Sequence, residues 1–358
     1  MSAAFHSLKV AEIRREIDDA VSLAFELPDA LAETFAFTPG QHLTLRAQLE
    51  GEDLRRNYSI CSAPHENRLR VAIKQVPGGR VSGWINQDLA VGDILEVMAP
   101  HGNFTYGFDP ARAATYVAFA AGSGITPILS LLKSALTIEP GSRFVLLYGN
   151  RASNSIMFLE ELADLKNVHI DRLQVFHFLS EEAEDVDLFN GRLDAARAGE
   201  AIGALIDPAG VTAAFVCGPS PMMDAAQDAL LAAGVPASVI LSERFSAAEL
   251  SADQLAQVRA LEQKAAGLKV QVSLEGRRRR IAFDPDKGSI LENARAAGMP
   301  APYACKAGVC ATCRAKVVQG KVEMKTNYGL SPEEVAQGYV LTCQAVPLTE
   351  DVVLDYDA

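Results

Sequence analysis

The strongest constraint in this sequence is a run of three cysteines near its C-terminal end. It reads Cys305-Lys-Ala-Gly-Val-Cys310-Ala-Thr-Cys313, and a fourth cysteine, Cys343, follows downstream. The spacing C-x4-C-x2-C with a distant C is the ligand pattern of plant-type [2Fe–2S] sites. Such a cluster carries negative charge, so its loop must wrap closely and aim backbone N–H groups at sulfur. Ala307, Gly308 and Ala311 are small, and Gly308 tolerates backbone angles that other residues avoid. Structural zinc takes paired C-x2-C or histidine-containing sets, and only one such pair is present. A Rieske centre would replace two cysteines by histidines, and no histidine follows His177. Disulfides belong to oxidising compartments, to which nothing else in the sequence points. Cys305, Cys310, Cys313 and Cys343 are therefore the expected metal ligands. A one-electron carrier in turn needs a source of electrons.

The chain that precedes it is long enough to hold one. A length of 358 residues implies two or three domains. A net charge of −12 makes nucleic acid a poor partner. No run of 18 apolar residues exists to span a membrane. The opening Met1–Val10 has no basic region followed by an apolar one, so no signal peptide is expected and the cytoplasm is the default.

The first hundred residues alternate with period two over Leu8–Ile13, Val21–Leu27, His42–Arg46, Leu69–Lys74 and Ile94–Val97. Pro39-Gly40, Pro77-Gly78-Gly79 and Gly92-Asp93 punctuate them. That pattern predicts an antiparallel barrel or sandwich. Within it, Arg56 and Tyr58 share one face of a strand that continues into Ser59. They would offer a cation and a ring together. The turn Gly78-Gly79-Arg80-Val81-Ser82 leads into a short helix, whose N-terminal N–H groups suit a phosphate. The two segments could together hold a flavin nucleotide; each alone is a common string. Cys61 reads as a small buried residue.

From residue 110 the pattern becomes alternating β and α. Tyr116–Ala121 is a buried strand by run length, and it enters Gly122-Ser-Gly124-Ile-Thr126-Pro127 and an apolar helix. Strand, G-x-G turn and helix form a nucleotide-binding unit. The next strand, Phe144–Tyr148, ends in Gly149-Asn150-Arg151, with no carboxylate until Glu160. A ribose 2′-hydroxyl prefers a carboxylate there, whereas an arginine suits a 2′-phosphate. The expected donor is thus NADPH, with NADH the alternative. Thr212–Cys217 is a further strand, ending in Gly218-Pro219-Ser-Pro221 before the helix from Met222. Cys217 at that edge either flanks the nicotinamide or simply ends a buried strand. Leu241-Ser-Glu243-Arg-Phe245 closes the domain with an acid and an aromatic.

Ser246–Gly267 reads as a partly helical connector. Leu268–Leu274, Glu275-Gly276 and Arg280–Phe283 predict a hairpin, and Ser289-Ile-Leu-Glu292 predicts a capping box for a helix ending at Gly298. Arg277 to Arg280 are either a solvated hairpin tip or a docking patch for an acidic partner.

The motifs Arg56-x-Tyr58-Ser59, Gly79-x-x-Ser82, Gly122-Ser-Gly-Ile-Thr-Pro127, Cys217-Gly-Pro219 and the cysteine set occur in one order. That order resembles the ferredoxin–NADP⁺ reductase-like flavoprotein superfamily with a plant-type ferredoxin fused at the C-terminus. The resemblance spans essentially the whole chain. It implies a multidomain β and α/β fold with an antiparallel flavin-binding barrel, a Rossmann-like nicotinamide domain and a C-terminal β-grasp ferredoxin domain. The expected boundaries are 1–108 for FAD, 109–245 for NADPH, 246–267 for the linker and 268–358 for [2Fe–2S]. It implies FAD with Tyr58 against the isoalloxazine, Ser59 near its N5, and Arg56 with Ser82 on the diphosphate. Lys74, Gly79 and Val81 fall in the same cofactor-binding set. For the dinucleotide it implies Gly122, Gly124, Thr126, Arg151, Cys217, Gly218 and Pro219. Ser59, Cys217 and Glu243 would be the catalytic residues.

NADPH releases two electrons at once and the cluster takes one, so a flavin between them explains why three sites share one chain. Relatives serve ring-hydroxylating oxygenases, steroid hydroxylases and a hybrid-cluster protein. Oxygen chemistry within this chain is not expected. Di-iron sites use Glu-x-x-His, but Ala3, Pro39, Ser62, Met98, Lys166 and Gln174 stand three residues before the six histidines. Oxygen activation, if any, belongs to a partner, and the partner that the resemblance implies is an oxygenase component. A non-catalytic redox sensor or assembly protein is the rival reading, which the complete flavin and nicotinamide motifs oppose.

Overall fold

The computed structural model describes residues 4–246 and 251–358. The chain divides into a larger unit, Phe5–Leu54 with Tyr58–Arg244, and a smaller one made chiefly of the residues from Phe245 onward. Part of the expected connector, residues 247–250, lies outside the described residues.

The larger unit begins with strands β1 (Phe5–Ile17), β2 (Ala20–Glu26), β3 (His42–Leu49), β4 (Glu52–Ser59), β5 (Leu69–Lys74) and β6 (Ile94–Met98). They form an antiparallel sheet in the order β4-β3-β6-β1-β2-β5. An antiparallel bridge between Ile60, just after β4, and Val71 on β5 brings the two edges together. The sheet therefore closes as a barrel, which removes its open edges. Leu8, Val10, Leu23, Leu43, Leu45, Ile73 and Val97 fill it from alternate positions. Helix α1 (Arg80–Gln87) covers one end, with Val81 and Ile85 in the barrel core.

The second half is a parallel sheet of β7 (Thr115–Ala121), β8 (Arg143–Asn150), β9 (Leu173–Leu179), β10 (Val211–Cys217) and β11 (Ile240–Glu243), in the order β11-β10-β7-β8-β9. Helices α2 (Ile125–Ile138), α3 (Leu159–Val168), α4 (Ala195–Leu205) and α5 (Ser220–Ala232) connect the strands. Along β7, Tyr116, Ala118 and Ala120 enter one core while Val117 and Phe119 enter the other. Both faces are covered, which is why β7 reads as an unbroken apolar run. Strand β9 escapes sequence reading because its centre is only half-buried.

The smaller unit begins with helix α6 (Ala252–Lys264), capped by Ser251. Strands β12 (Lys269–Leu274) and β13 (Arg277–Ala282) follow as the expected hairpin, then helix α7 (Ile290–Ala296). Strand β14 (Arg314–Gln319), β15 (Val322–Met324), helix α8 (Pro332–Ala336), β16 (Tyr339–Leu341), β17 (Ala345–Pro347) and β18 (Val352–Asp355) complete it. The main sheet runs β13-β12-β18-β14-β16, with β12 and β18 parallel, and packs on α7. This mixed sheet around one helix is the expected β-grasp arrangement. Arg277 to Arg280 are all exposed on β13, and Arg280 pairs with Asp351.

The expected capping box at Ser289 does not form. Ser289 is the N-cap of α7 but makes no side-chain cap. The Thr342 carbonyl instead accepts from the Leu291 N–H at 3.0 Å, and Glu292 pairs with Lys306 at 2.8 Å. A tertiary acceptor and a tertiary cation have replaced the local pair. Among the described residues no helix is long and apolar enough to cross a membrane.

A buried charge cluster joins barrel and parallel sheet within the larger unit. Arg70 on β5 donates to both oxygens of Glu161 on α3, each at 2.7 Å. Lys133 on α2 pairs with Glu161 and, at 2.8 Å, with Glu66. Burial alone would raise the Glu161 carboxyl, but Lys133 and Arg70 hold it below its ordinary value. Replacing Glu161 by Gln leaves two buried cations undercompensated and should destabilise the unit by about 3 kcal/mol. That corresponds to a midpoint lower by roughly 6–12 °C in a thermal melt at pH 7. A depressed carboxyl contributes stability above its unfolded value and loses it as pH falls through its folded value. The difference between variant and parent should therefore shrink in acid, and equal midpoints at pH 7 would refute the role.

Candidate functional site

Two strand ends meet because two residues lack side chains. A Cβ at Gly124, in the turn after β7, would lie 2.1 Å from the Cys217 carbonyl oxygen at the end of β10. One at Gly218 would lie 2.4 Å from Met222 and 3.1 Å from the Ala121 nitrogen. The Thr126 hydroxyl turns inward and donates to the Ser123 carbonyl at 3.0 Å, bracing the same turn. Strand β7 is flanked by β10 and β8, so this is where the strand order reverses, the place where open α/β sheets bind ligands.

Ser59, Cys217 and Glu243 converge there. Cys217 and Glu243 are register partners on β10 and β11. The Ser59 hydroxyl, at the end of β4, donates to Glu243 Oε2 at 3.0 Å. Cys217 is fully buried, and burial, reinforced by Glu243, raises its thiol well above the ordinary range. It therefore stays a neutral thiol. His42 Nδ1 lies 3.5 Å from Glu243 Oε1, and the His42 and His101 rings meet edge-on at 4.3 Å. Neither histidine stands out in the sequence, because its partners are distant in the chain.

Tyr58, just before Ser59 on β4, is partly buried against the barrel core. Arg56 is exposed, and its guanidinium donates to the Arg55 carbonyl at 2.7 Å. Gly79 precedes α1 and supplies no side-chain cap, so the first N–H groups of the helix are left for another acceptor. The Ser82 hydroxyl serves the turn itself, accepting from the Val76 N–H at 3.1 Å and donating to the Gly79 carbonyl at 3.2 Å. A Cβ at Gly79 would lie 2.5 Å from that hydroxyl. Beside this turn is a cavity of 410 Å³ lined by Gly78, Gly79, Arg80, Gly83 and Trp84 among others. Cys61 is buried and pushed up to about 11 by burial, as its reading as an inert residue implies.

A second cavity, of 450 Å³, opens over the C-terminal ends of β7 to β10 and is lined by Lys74, Gly122, Asn150, Arg151, Arg192 and Pro219 among others. Asp19, on the β1–β2 turn, lies 3.5 Å from Lys74 and 3.7 Å from Arg151. Asn150 Nδ2 is buried without a hydrogen-bond partner among the described residues. A cavity lined by Lys74 and two arginines, over the strand ends where the order reverses, fits the phosphates of a dinucleotide. Asn150, Arg192 and Asp19 escape notice in the sequence because each gains meaning only from its neighbours here.

In the smaller unit, Cys305, Cys310 and Cys313 lie in the loop between α7 and β14, and Cys343 follows β16. All four are free. Lys306, Gly308 and Ala311 take positive φ of 54°, 76° and 55°, coiling the loop inward. The Ala307 N–H donates to Cys305 Sγ at 3.3 Å, the Cys305 N–H to Cys310 Sγ at 3.5 Å, and Gln344 Nε2 to Cys343 Sγ at 3.6 Å. The thiols fall into two neighbouring pairs, Cys305 with Cys310 and Cys313 with Cys343. Cys310 is the member drawn down in its pair, because Cys305 donates to it. Among the described residues no three histidine, cysteine, aspartate or glutamate side chains are grouped so as to hold one metal ion. Two thiol pairs on an N–H-lined loop suit a two-iron cluster better than a single ion.

Three family models match the chain: an oxidoreductase FAD-binding domain over residues 7–106, an oxidoreductase NAD-binding domain over 119–228, and a 2Fe-2S iron-sulfur cluster binding domain over 272–348. The chain is 47% identical over 354 residues to a component of the 1,2-phenylacetyl-CoA epoxidase of Escherichia coli, covering 99% of this chain and 98% of that one. It is 34% identical to the ferredoxin reductase component of the 3-ketosteroid-9-alpha-monooxygenase of Rhodococcus rhodochrous, covering 98% and 96%. Its fold matches that of phthalate dioxygenase reductase with a TM-score of 0.59, at 24% identity and 98% coverage of both chains. The chain thus belongs to the family of flavin- and [2Fe–2S]-dependent oxidoreductases that serve as reductase components of multicomponent oxygenases.

Proposed function

We propose that this reductase draws electrons from NADPH and delivers them to a di-iron oxygenase that epoxidises phenylacetyl-CoA, in aerobic phenylacetate degradation. The observation that carries the choice of partner is the 47% identity over 99% of the chain to a component of that epoxidase. The steroid monooxygenase relative, at 34%, favours the second reading, a reductase for another oxygenase. Six free cysteines, four of them needed as thiolates, favour a reducing compartment and hence the cytoplasm. The functional boundaries are taken as 1–108, 109–245, 246–267 and 268–358.

When bound, FAD accepts the two electrons of a hydride and releases them singly, and the cluster carries them one at a time. The chain's own residues supply position and electrostatics. Tyr58 offers a ring, Ser59 a hydroxyl, and the start of α1, entered through Gly79, offers the N–H groups of Val81 and Ser82 to a diphosphate. Arg56, exposed on β4, can turn from its own backbone to an anion. Gly122, Gly124, Thr126, Gly218 and Pro219 shape the dinucleotide floor. Cys217, held neutral, brings no competing charge to the nicotinamide, and Glu243 accepts from Ser59. Lys74 and Arg151 reach the same cavity as cations. At the cluster, Cys305, Cys310, Cys313 and Cys343 are the ligands, and N–H groups from Cys305, Ala307 and Gln344 offset the charge on sulfur. The partner docks around residues 305–313.

Arg151 carries the preference for NADPH. Replacing it by Gln removes a charge-assisted contact to the 2′-phosphate and should raise KM for NADPH about tenfold or more, leaving that for NADH within a factor of two. Equal change for both cofactors would place the 2′-phosphate elsewhere. Cys310→Ser should leave bleaching of the flavin by NADPH intact and abolish electron delivery to the partner; normal delivery would remove the cluster from the route. Affinity capture from native cells grown on phenylacetate should recover the di-iron epoxidase, and recovery of a different oxygenase would overturn the choice of partner.

A further inference from the structure

Two cations of the dinucleotide cavity already face a carboxylate of the chain itself. Asp19, on the β1–β2 turn, places Oδ1 3.5 Å from Lys74 Nζ and Oδ2 3.7 Å from Arg151 Nη2. Lys74 ends β5 of the barrel, and Arg151 follows β8 of the parallel sheet. One side chain thus spans two positive charges brought in by separate halves of the larger unit.

Backbone contacts fix the position of that carboxylate. Ala20 and Lys74 are register partners on β2 and β5. The Asp19 carbonyl accepts from the Gln75 N–H at 2.7 Å, so the turn continues the ladder. On its other side, Arg15 Nη2 donates to the Asn86 carbonyl at 2.8 Å, and Arg15 Nη1 donates to the Asp18 carbonyl at 3.4 Å. Braced at both ends, the turn sends Asp19 to the cations and leaves its neighbour Asp18 exposed. Two other acids nearby are engaged elsewhere. Asp194 lines the cavity but caps α4, accepting from the Arg197 N–H at 3.0 Å. Glu182 accepts from the Ser153 N–H at 2.6 Å. The Asp19 side chain is 39% exposed, so its two contacts can be exchanged with solvent or with a ligand.

The inference rests on the reading of this cavity as the place where a 2′-phosphate meets its cations. That phosphate carries a charge of about −1.5 to −2 at neutral pH. To reach Lys74 and Arg151 it must come up against the carboxylate already between them, and like charges repel. A ribose with a free 2′-hydroxyl brings no such charge, and the two cations keep their counter-ion. The geometry points to Asp19 as a specificity-determining residue that holds back 2′-phosphate binding and so narrows the preference for NADPH over NADH. Arg151 favours the phosphate and Asp19 opposes it, and the selectivity is the difference between the two.

Two nucleotide fragments test this without turnover. Adenosine 2′,5′-bisphosphate and adenosine 5′-monophosphate are titrated by calorimetry into the flavin-loaded protein. Asp19→Asn removes the charge and should tighten the bisphosphate about fivefold, with the monophosphate held within about a factor of two. Asp19→Glu keeps the charge and should retain the parent's discrimination. Asp18→Asn changes the net charge equally and should leave it unaltered as well. An unchanged bisphosphate affinity in Asp19→Asn, equal tightening of both probes, or the same tightening in Asp18→Asn overturns the inference. Asp19→Ser takes the place of the asparagine variant if that one does not fold. Arg151→Gln reports separately on the underlying reading. If it weakens the bisphosphate while Asp19→Asn changes nothing, the reading stands and the inference falls. If it leaves the bisphosphate unweakened while Asp19→Asn tightens it, Arg151 loses its assignment and the inference stands through Lys74.

Discussion

No side chain larger than hydrogen fits at position 124, and much of the larger unit depends on that exclusion. The turn after β7 lies against the last carbonyl of β10, where a Cβ would come within 2.1 Å of oxygen. Gly218 makes the reciprocal approach. With both strand ends pressed together, Cys217 and its register partner Glu243 are fixed at the reversal of strand order. The barrel then needs to bring only the end of β4 to the same point for Ser59 to meet Glu243. A close packing of backbone on backbone thus places the chemistry, and the polar groups occupy positions already set.

The barrel is held in that relation by two kinds of contact. Cys61, Ala20 and Ala72 from the barrel enter the same apolar core as α2 and β7. Around it, Arg70, Lys133, Glu161 and Glu66 form a buried charge cluster. Apolar packing is tolerant of small rotations, whereas one arginine nitrogen donating to both oxygens of a carboxylate is directional. The second therefore specifies the alignment that the first stabilises. The cluster loop of the smaller unit solves a different problem. It coils through three residues of positive φ so that N–H groups face sulfur. Only one of these, Gly308, is a glycine; Lys306 is anchored by Glu292, and Ala311 lies where a Cβ on Gly329 would approach its nitrogen to 2.9 Å.

Local and distant signals differ in how they show themselves. The strands of the barrel, the buried runs of β7, β8 and β10, the β12–β13 hairpin and the cysteine loop are legible, because period and spacing are properties of neighbouring residues. Strand β9 is not, since its half-buried centre carries no clean alternation. The capping box at Ser289 is a sound local option that loses to Thr342, which arrives from the other end of the domain. Ser82 looks like a phosphate ligand, yet its hydroxyl is used within its own turn. Arg151 is visible, whereas Asn150, Arg192 and Asp19 acquire a role only where four strand ends surround one cavity.

The sequence by itself determined the inventory: a [2Fe–2S] domain with four spaced cysteines, a flavin barrel, a dinucleotide sheet, and their order along the chain. It could do so because metal spacing, glycine turns and hydrophobic period are short-range and leave direct marks. Only the tertiary structure decided which side chains act on one another. Ser59 and Glu243 are 184 residues apart, and His42 reaches Glu243 only because its strand pairs at His101 and position 102 carries no side chain. A hydrogen bond between distant residues has no periodicity and no spacing. It exists only once the closed barrel and the parallel sheet have brought its donor and acceptor within about 3 Å.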